Sequence, residues 1–181
     1  MEESCKSRVP SRDGTIRHVI FGTDITTQIV DNESIAHRYP NVLIHCVFST
    51  KERRNLIGRE MQPRLWRYLA GIGRNHGVHV LAAGGISNHV HMLIVLPPHV
   101  SLAKAMQFLK ANSSRWLREH GIEFAWQEGY GAFSVSSSNR EAVRNYIEHQ
   151  PEHHGKRSYE GEFEALVRKS GMAFDEKEAF G

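Results

Sequence analysis

The segment that most constrains this chain is Asn88-His89-Val90-His91-Met92-Leu93-Ile94-Val95-Leu96, preceded by Gly84-Gly85 and closed by Pro97-Pro98. Apolar and β-branched residues between glycine and proline breaks read as a β-strand. Side chains alternate faces on a strand, so His89 and His91 point the same way, roughly 6 to 7 Å apart at their Cα atoms. Val90 and Met92 face the other side, and the apolar run that follows ties the strand into a core. Two imidazoles on so rigid a platform can share one metal ion. Chance pairs are common among twelve histidines, so a third ligand has to decide between a metal site and ordinary buried histidines.

Composition bounds the rest. A chain of 181 residues, 40% apolar and 24% charged, suits one soluble domain with a proper core and leaves room for an extension. A net charge of +3 and a pI near 9.0 permit a polyanionic partner without demanding one. Cys5 and Cys46 are the only cysteines, too few for a disulfide framework or a cysteine zinc site, and a reducing cytoplasm fits best. No apolar run approaches the roughly 20 residues that span a bilayer, and the N-terminus lacks the apolar core of a secretory signal. No membrane partner is expected.

Residues 1–38 are polar, of mixed charge and without a sustained period apart from a short His18-Val19-Ile20-Phe21 patch, and read as an extension to a main domain over residues 39–181. A first strand is expected over 41–49, followed by a basic turn containing Lys51, Arg53 and Arg54. Leu65, Trp66, Leu69 and Ile72 recur at helical spacing over 61–75, and Gly77 stops them. Residues 78–83 form a second strand that turns at Gly84-Gly85 into the histidine strand. Ser101 caps a second helix with the stripe Leu102, Ala105, Met106, Leu109, Trp116 and Leu117; its other side carries Lys104, Lys110, Arg115 and Arg118. A short strand falls near 133–136. The fold class is therefore α+β: a ferredoxin-like, RRM-like βαββαβ plan, an antiparallel four-stranded sheet with helices on one face and the other face free to work.

Beyond the sheet, Ser138 with Glu141 makes a capping-box signal for a helix over 139–150, ending near Pro151. Val143 and Ile147 supply its core contact, while Tyr146 and Gln150, four apart, look out together. A tyrosine offers a phenolic oxygen that can act as a nucleophile, and a glutamine a neutral carbonyl that can complete a metal's shell. Two imidazoles and one amide oxygen, with positions left for phosphate or water, suit Mg²⁺ or Mn²⁺.

With these residues in view, the chain resembles the single-tyrosine HUH transposases of insertion sequences (IS200-like) and their REP-associated tyrosine transposase relatives. The resemblance runs from about residue 41 to about residue 175. It rests on His45-Cys46-Val47-Phe48-Ser49-Thr50-Lys51, Asn88-His89-Val90-His91, Trp126-Gln127-Glu128-Gly129-Tyr130-Gly131-Ala132-Phe133-Ser134-Val135-Ser136 and Tyr146-Ile147-Glu148-His149-Gln150-Pro151-Glu152-His153-His154. It implies that His89, His91 and Gln150 bind the metal, that Tyr146 is the nucleophile and that Tyr130 is a non-catalytic aromatic. It also implies a homodimer acting on single-stranded DNA with hairpins, in which one subunit's tyrosine helix can complete the other's site, and a mobile C-terminal region with a helix over 158–169. His149 departs from the pattern, standing where an asparagine commonly precedes the glutamine, and residues 1–38 have no counterpart.

The implied chemistry is cleavage and rejoining of single-stranded DNA through a 5′-phosphotyrosine link, which needs no ATP. In keeping with this, no Gly-rich phosphate loop followed by Lys-Ser or Lys-Thr appears in the sequence. Lys51, Arg53, Arg54, Lys104, Lys110 and Arg115 are candidates for phosphate contact. Tyr130 and Trp126 could stack unpaired bases, with core packing the alternative for Trp126. Two other readings stay open: a non-enzymatic hairpin-binding protein on the same fold, and a zinc hydrolase with His153 or His154 as third ligand.

Overall fold

The computed structural model describes residues 6–10, 16–20, 41–153 and 158–176. The chain divides into two units, residues 1–39 and 40–181. In the first, β1 (Lys6–Pro10) pairs antiparallel with β2 (Ile16–Ile20). This pairing shows no clear alternation in the sequence, which is why residues 1–38 read as an extension without elements.

The second unit runs β3 (Leu43–Ser49), α1 (Gln62–Asn75), β4 (His79–Gly85), β5 (His89–Val95), α2 (Leu102–Glu119), β6 (Gly131–Val135), α3 (Arg140–Glu148), α4 (Gln150–His153) and α5 (Tyr159–Lys169). Its sheet has the order β4-β5-β3-β6, with every neighbouring pair antiparallel. That is the ferredoxin-like arrangement expected from the order of elements. The signals that placed α2 are physical: Ser101 Oγ accepts from the Lys104 amide at 3.2 Å, and Gly121 just past the helix takes φ +78.

Register decides what each face carries, because residues opposite one another share a face. On one face Cys46, Phe48, Val90, Met92 and Ile94 are buried against α1 and α2 through Leu65, Leu69, Ala105, Met106, Leu109 and Leu117. Trp126 belongs to this core; its indole N–H donates to Ser113 Oγ at 3.0 Å, so packing, not base stacking, accounts for it. The opposite face carries Leu43, His45, Val47 and Ser49 of β3 beside Val95, Leu93, His91 and His89 of β5.

That second face is not the open surface anticipated from the sequence. Ile147 of α3 packs with Leu43, Ala82 and Leu93, and Tyr159 and Val167 of α5 pack with Val47 and Phe133. Two glycines let these helices come close. A Cβ on Gly84, which pairs with His91, would run into the carbonyl of Ile147, and a Cβ on Gly131, which pairs with Val47, would strike the ring of Phe163 at 2.6 Å.

The tyrosine helix also differs from expectation. It begins at Arg140, with Asn139 at its N-cap and no side-chain cap bond, after a 3₁₀ turn over Ser137–Asn139. The capping box of Ser138 and Glu141 does not form; the Ser138 hydroxyl lies 2.9 Å from that of Ser136 instead. The helix ends at Glu148, and His149 (φ −105, ψ 22) breaks it before the single turn of α4. Tyr146 and Gln150 are consequently not on one continuous helix.

Candidate active site

Three buried side chains converge over the second face. His89 and His91 Nε2 lie 3.7 and 3.5 Å from Glu162 Oε2, and one donor atom from each of the three residues falls within 4.8 Å of the others. Gln150 is fully buried and donates from Nε2 to Glu162 Oε1 at 3.0 Å. Its Oε1 is buried without a hydrogen-bond partner, and an acceptor so placed is costly unless something electropositive meets it. The break at His149 turns Gln150 inward, instead of leaving it to look out beside Tyr146. Two imidazoles, a carboxylate and an amide oxygen fit a divalent ion.

Both histidines are held from behind. His89 Nδ1 is 2.8 Å from Asn88 Oδ1, an acceptor, so the ring proton sits on Nδ1 and the lone pair on Nε2 faces the cluster. His91 Nδ1 is 3.0 Å from Nε2 of the buried His45, a diagonal neighbour on the same face. Burial, reinforced by His91, holds His45 down at about 3, so it is neutral near pH 7. Such distal partners fix the orientation and tautomer of metal-binding imidazoles. Burial pushes the Glu162 carboxyl up to about 7 in the metal-free protein.

Two tyrosines flank the pair. The ring of Tyr146, half-buried, stands edge-on to His91 at 5.8 Å between centroids and to His45 at 6.1 Å. Its position follows from the close approach of Ile147 to Gly84, one residue away. Tyr159 lies 5.0 Å from the His89 ring, but burial pushes its phenol up to about 12, against the opposing effects of a Ser49 hydrogen bond and Arg53. A phenol held neutral in the interior is a poor nucleophile, which leaves Tyr146 as the candidate.

The cationic candidates divide. Lys51 and Arg54 are exposed on the turn after β3, which is stapled beside the histidine strand by Thr50 N donating to Asn88 O at 2.8 Å. Arg53, at φ +54 in that turn, pairs with Glu160 at 2.8 Å. Lys104 and Arg115 lie exposed on α2, across the sheet from the histidines, and Arg115 is 3.9 Å from Glu119. The Lys110 ammonium donates to the carbonyls of Gln127, Glu128 and Gly129 at 2.7, 3.3 and 2.7 Å and so clamps a loop. Tyr130, 39% exposed, lines a cavity of about 560 Å³ with Phe133, Phe163 and Tyr159. The side chains of His153 and His154 lie outside the described residues, and no described helix is long and apolar enough to cross a membrane.

Against known proteins, residues 38–150 match the family model described as "Transposase IS200 like". The chain belongs to the IS200-like transposase family. It is 32% identical over 130 residues to the transposase for insertion sequence element IS200 of Salmonella typhimurium, a match covering 67% of this chain and 85% of the relative. The Salmonella typhi protein of the same description matches equally. Among solved structures, a candidate transposase from Deinococcus radiodurans R1 shares the fold with a TM-score of 0.52 at 22% identity, over 66% of this chain and 97% of that one. A REP-associated tyrosine transposase bound to a REP hairpin does so with a TM-score of 0.52 at 16% identity, over 67% and 74%.

Sequence reasoning missed Glu162, which lies beyond the residues that match the IS200-like transposase model. A signal was there. Tyr159, Phe163, Leu166 and Val167 form an i, i+4, i+7, i+8 stripe, and Glu162 at i+3 puts a carboxylate in the middle of it. A carboxylate on an apolar stripe is rarely buried without a charged partner or a metal.

Proposed function

We propose that this transposase family member cleaves and rejoins single-stranded DNA through a covalent link to Tyr146, with Mg²⁺ or Mn²⁺ held by His89, His91 and Gln150. The observation that carries the reading is the Tyr146 ring standing against His91, the ligand whose Nε2 points at the buried donor cluster. When bound, the ion would withdraw charge from a phosphate oxygen and orient the strand.

The rest is the work of the chain. Tyr146 Oη attacks phosphorus in line, forming the phosphotyrosine ester at the 5′ end. The bond from phosphorus to the 3′ oxygen breaks; the phenol gives up its proton, and the leaving oxygen gains one as a 3′-hydroxyl. The bond is conserved, so a second 3′-hydroxyl can attack in reverse and release the tyrosine. Asn88 and His45 hold the rings of His89 and His91 from behind at Nδ1, which leaves each Nε2 facing the donor cluster.

A hairpin-bearing strand is the substrate this reading favours, supported by the hairpin bound to the fold neighbour. Lys51 and Arg54 contact its phosphates and Tyr130 stacks an unpaired base. The protein acts as a homodimer, although Tyr146 of each chain already reaches its own His91. The test is incubation of the wild type and Tyr146→Phe with Mn²⁺ and labelled single strands spanning the flanks of the encoding gene, read on a denaturing gel. A protein-DNA adduct that requires both the tyrosine and the metal is the expected result. Hairpin binding without an adduct in either protein would replace it with the non-enzymatic hairpin-binding reading.

A further inference from the structure

We infer that Glu162 is itself a ligand of the ion, so that docking of α5 and loading of the metal are one coupled equilibrium. The inference rests on the metal reading above and extends it to an element beyond the segment shared with the family model, which ends at residue 150.

Position argues for it first. Glu162 Oε2 faces both Nε2 atoms, at 3.7 and 3.5 Å. Those separations are long for strong hydrogen bonds, yet they suit three donors arranged around a common point. The other carboxylate oxygen is held by Gln150 Nε2 at 3.0 Å, which fixes the carboxylate plane while leaving Gln150 Oε1 as a further donor. The centre is then two imidazoles, one carboxylate and one amide oxygen.

The helix that carries Glu162 is built to deliver it. Ser158 caps α5, its Oγ accepting from the Gly161 amide at 3.3 Å. Tyr159 and Val167 anchor it on Val47 and Phe133. The Phe163 ring occupies the space that the absent side chain of Gly131 leaves, and Arg53 pairs with Glu160 at 2.8 Å. A carboxylate on the buried stripe of a docked helix reaches the histidines only while the helix is docked. By linkage, whatever favours docking tightens the ion and the ion favours docking to the same degree.

The test uses the full chain and Mn²⁺ alone. Affinity is read from free Mn²⁺ by electron paramagnetic resonance, and docking from hydrogen exchange over residues 159–169 with and without the ion, for wild type, His91→Ala and Glu162→Gln. Glutamine keeps the size of the side chain and an oxygen for Gln150 Nε2, while an amide NH2, which does not ligate, replaces the oxygen that faces the histidines. The expected result is that Glu162→Gln weakens Mn²⁺ by at least the ~10–100-fold that losing a supporting partner costs, and that Mn²⁺ slows exchange in α5 of the wild type but not of this variant. Should glutamine lower the melting temperature of the metal-free protein, Glu162→Asp, one methylene shorter, must show the same loss. Equal Mn²⁺ affinity in wild type and Glu162→Gln, with binding lost in His91→Ala, would overturn this inference and leave the histidine site standing. No Mn²⁺ site in the wild type would remove the metal reading and this inference with it.

Discussion

At the residue scale, His45 is a buried histidine that binds nothing directly and decides how His91 presents itself. With its folded value near 3 and an ordinary one of 6.5, it stabilises the fold fully above pH 6.5. That contribution is lost as pH falls toward 3, at no more than about 1.4 kcal/mol per pH unit. Glu162 in the metal-free protein works in the opposite sense: raised from 4.5 to about 7, it contributes below pH 4.5 and the contribution is lost as pH rises through 7. The wild type in chelator therefore shows a muted dependence between pH 4.5 and 6.5, because the two oppose one another. His45→Gln removes one side of that balance. Its stability relative to wild type, from urea unfolding in chelator, should rise by about 1–3 kcal/mol between pH 6.5 and 4.5; a difference that is flat with pH would show that His45 is not the neutral partner described. His45 stood within a recognisable sequence motif, but its bond to His91 was not legible, since it depends on strand order placing residues 45 and 91 on a diagonal.

At the element scale, the helices α1 and α2 and the histidine strand were legible because their residues follow one period and end on capping or breaking residues. What covers the second face was not legible, because Gly84 and Gly131 declare no partner until the register is known. Gly84 makes the sharper case. A methyl there meets the backbone carbonyl of Ile147, which cannot rotate away as a side chain can, so α3 must lift and carry Tyr146 off His91. Gly84→Ala should cost about 1–3 kcal/mol in thermal or urea unfolding, the range for overpacking. It should also reduce adduct formation more than single-strand affinity. Gly71, in the middle of α1, has nothing within 4 Å of its would-be Cβ, so Gly71→Ala should stabilise by about 0.4–1 kcal/mol. Equal effects from the two substitutions would mean that the approach of α3 to β4 does not matter.

At the scale of the whole molecule, the sheet separates two kinds of surface. One side, under α3 and α5, holds the histidines and Tyr146, and the turn that carries Lys51 and Arg54 is tied to Asn88 beside the histidine strand and, through Arg53, to Glu160 of α5; the other, under α1 and α2, carries Lys104 and Arg115. A single strand lying across the histidine side, as proposed, can meet the first pair of cations without meeting the second. Each phosphate neutralised along a single strand contributes about 0.7 to the slope of log affinity against log salt. Lys51→Ala with Arg54→Ala should therefore weaken binding of an unpaired strand and flatten that slope by about 1.4, while Lys104→Ala with Arg115→Ala leaves both unchanged. Lys110→Met supplies the contrast. Its ammonium is surrounded by three carbonyls and its charge is disfavoured by burial, so the substitution should lower the melting temperature and leave the slope alone. Fluorescence anisotropy on one labelled strand across a salt series measures all three, and a slope that follows Lys104 and Arg115 instead would place the strand over α2, away from Tyr146.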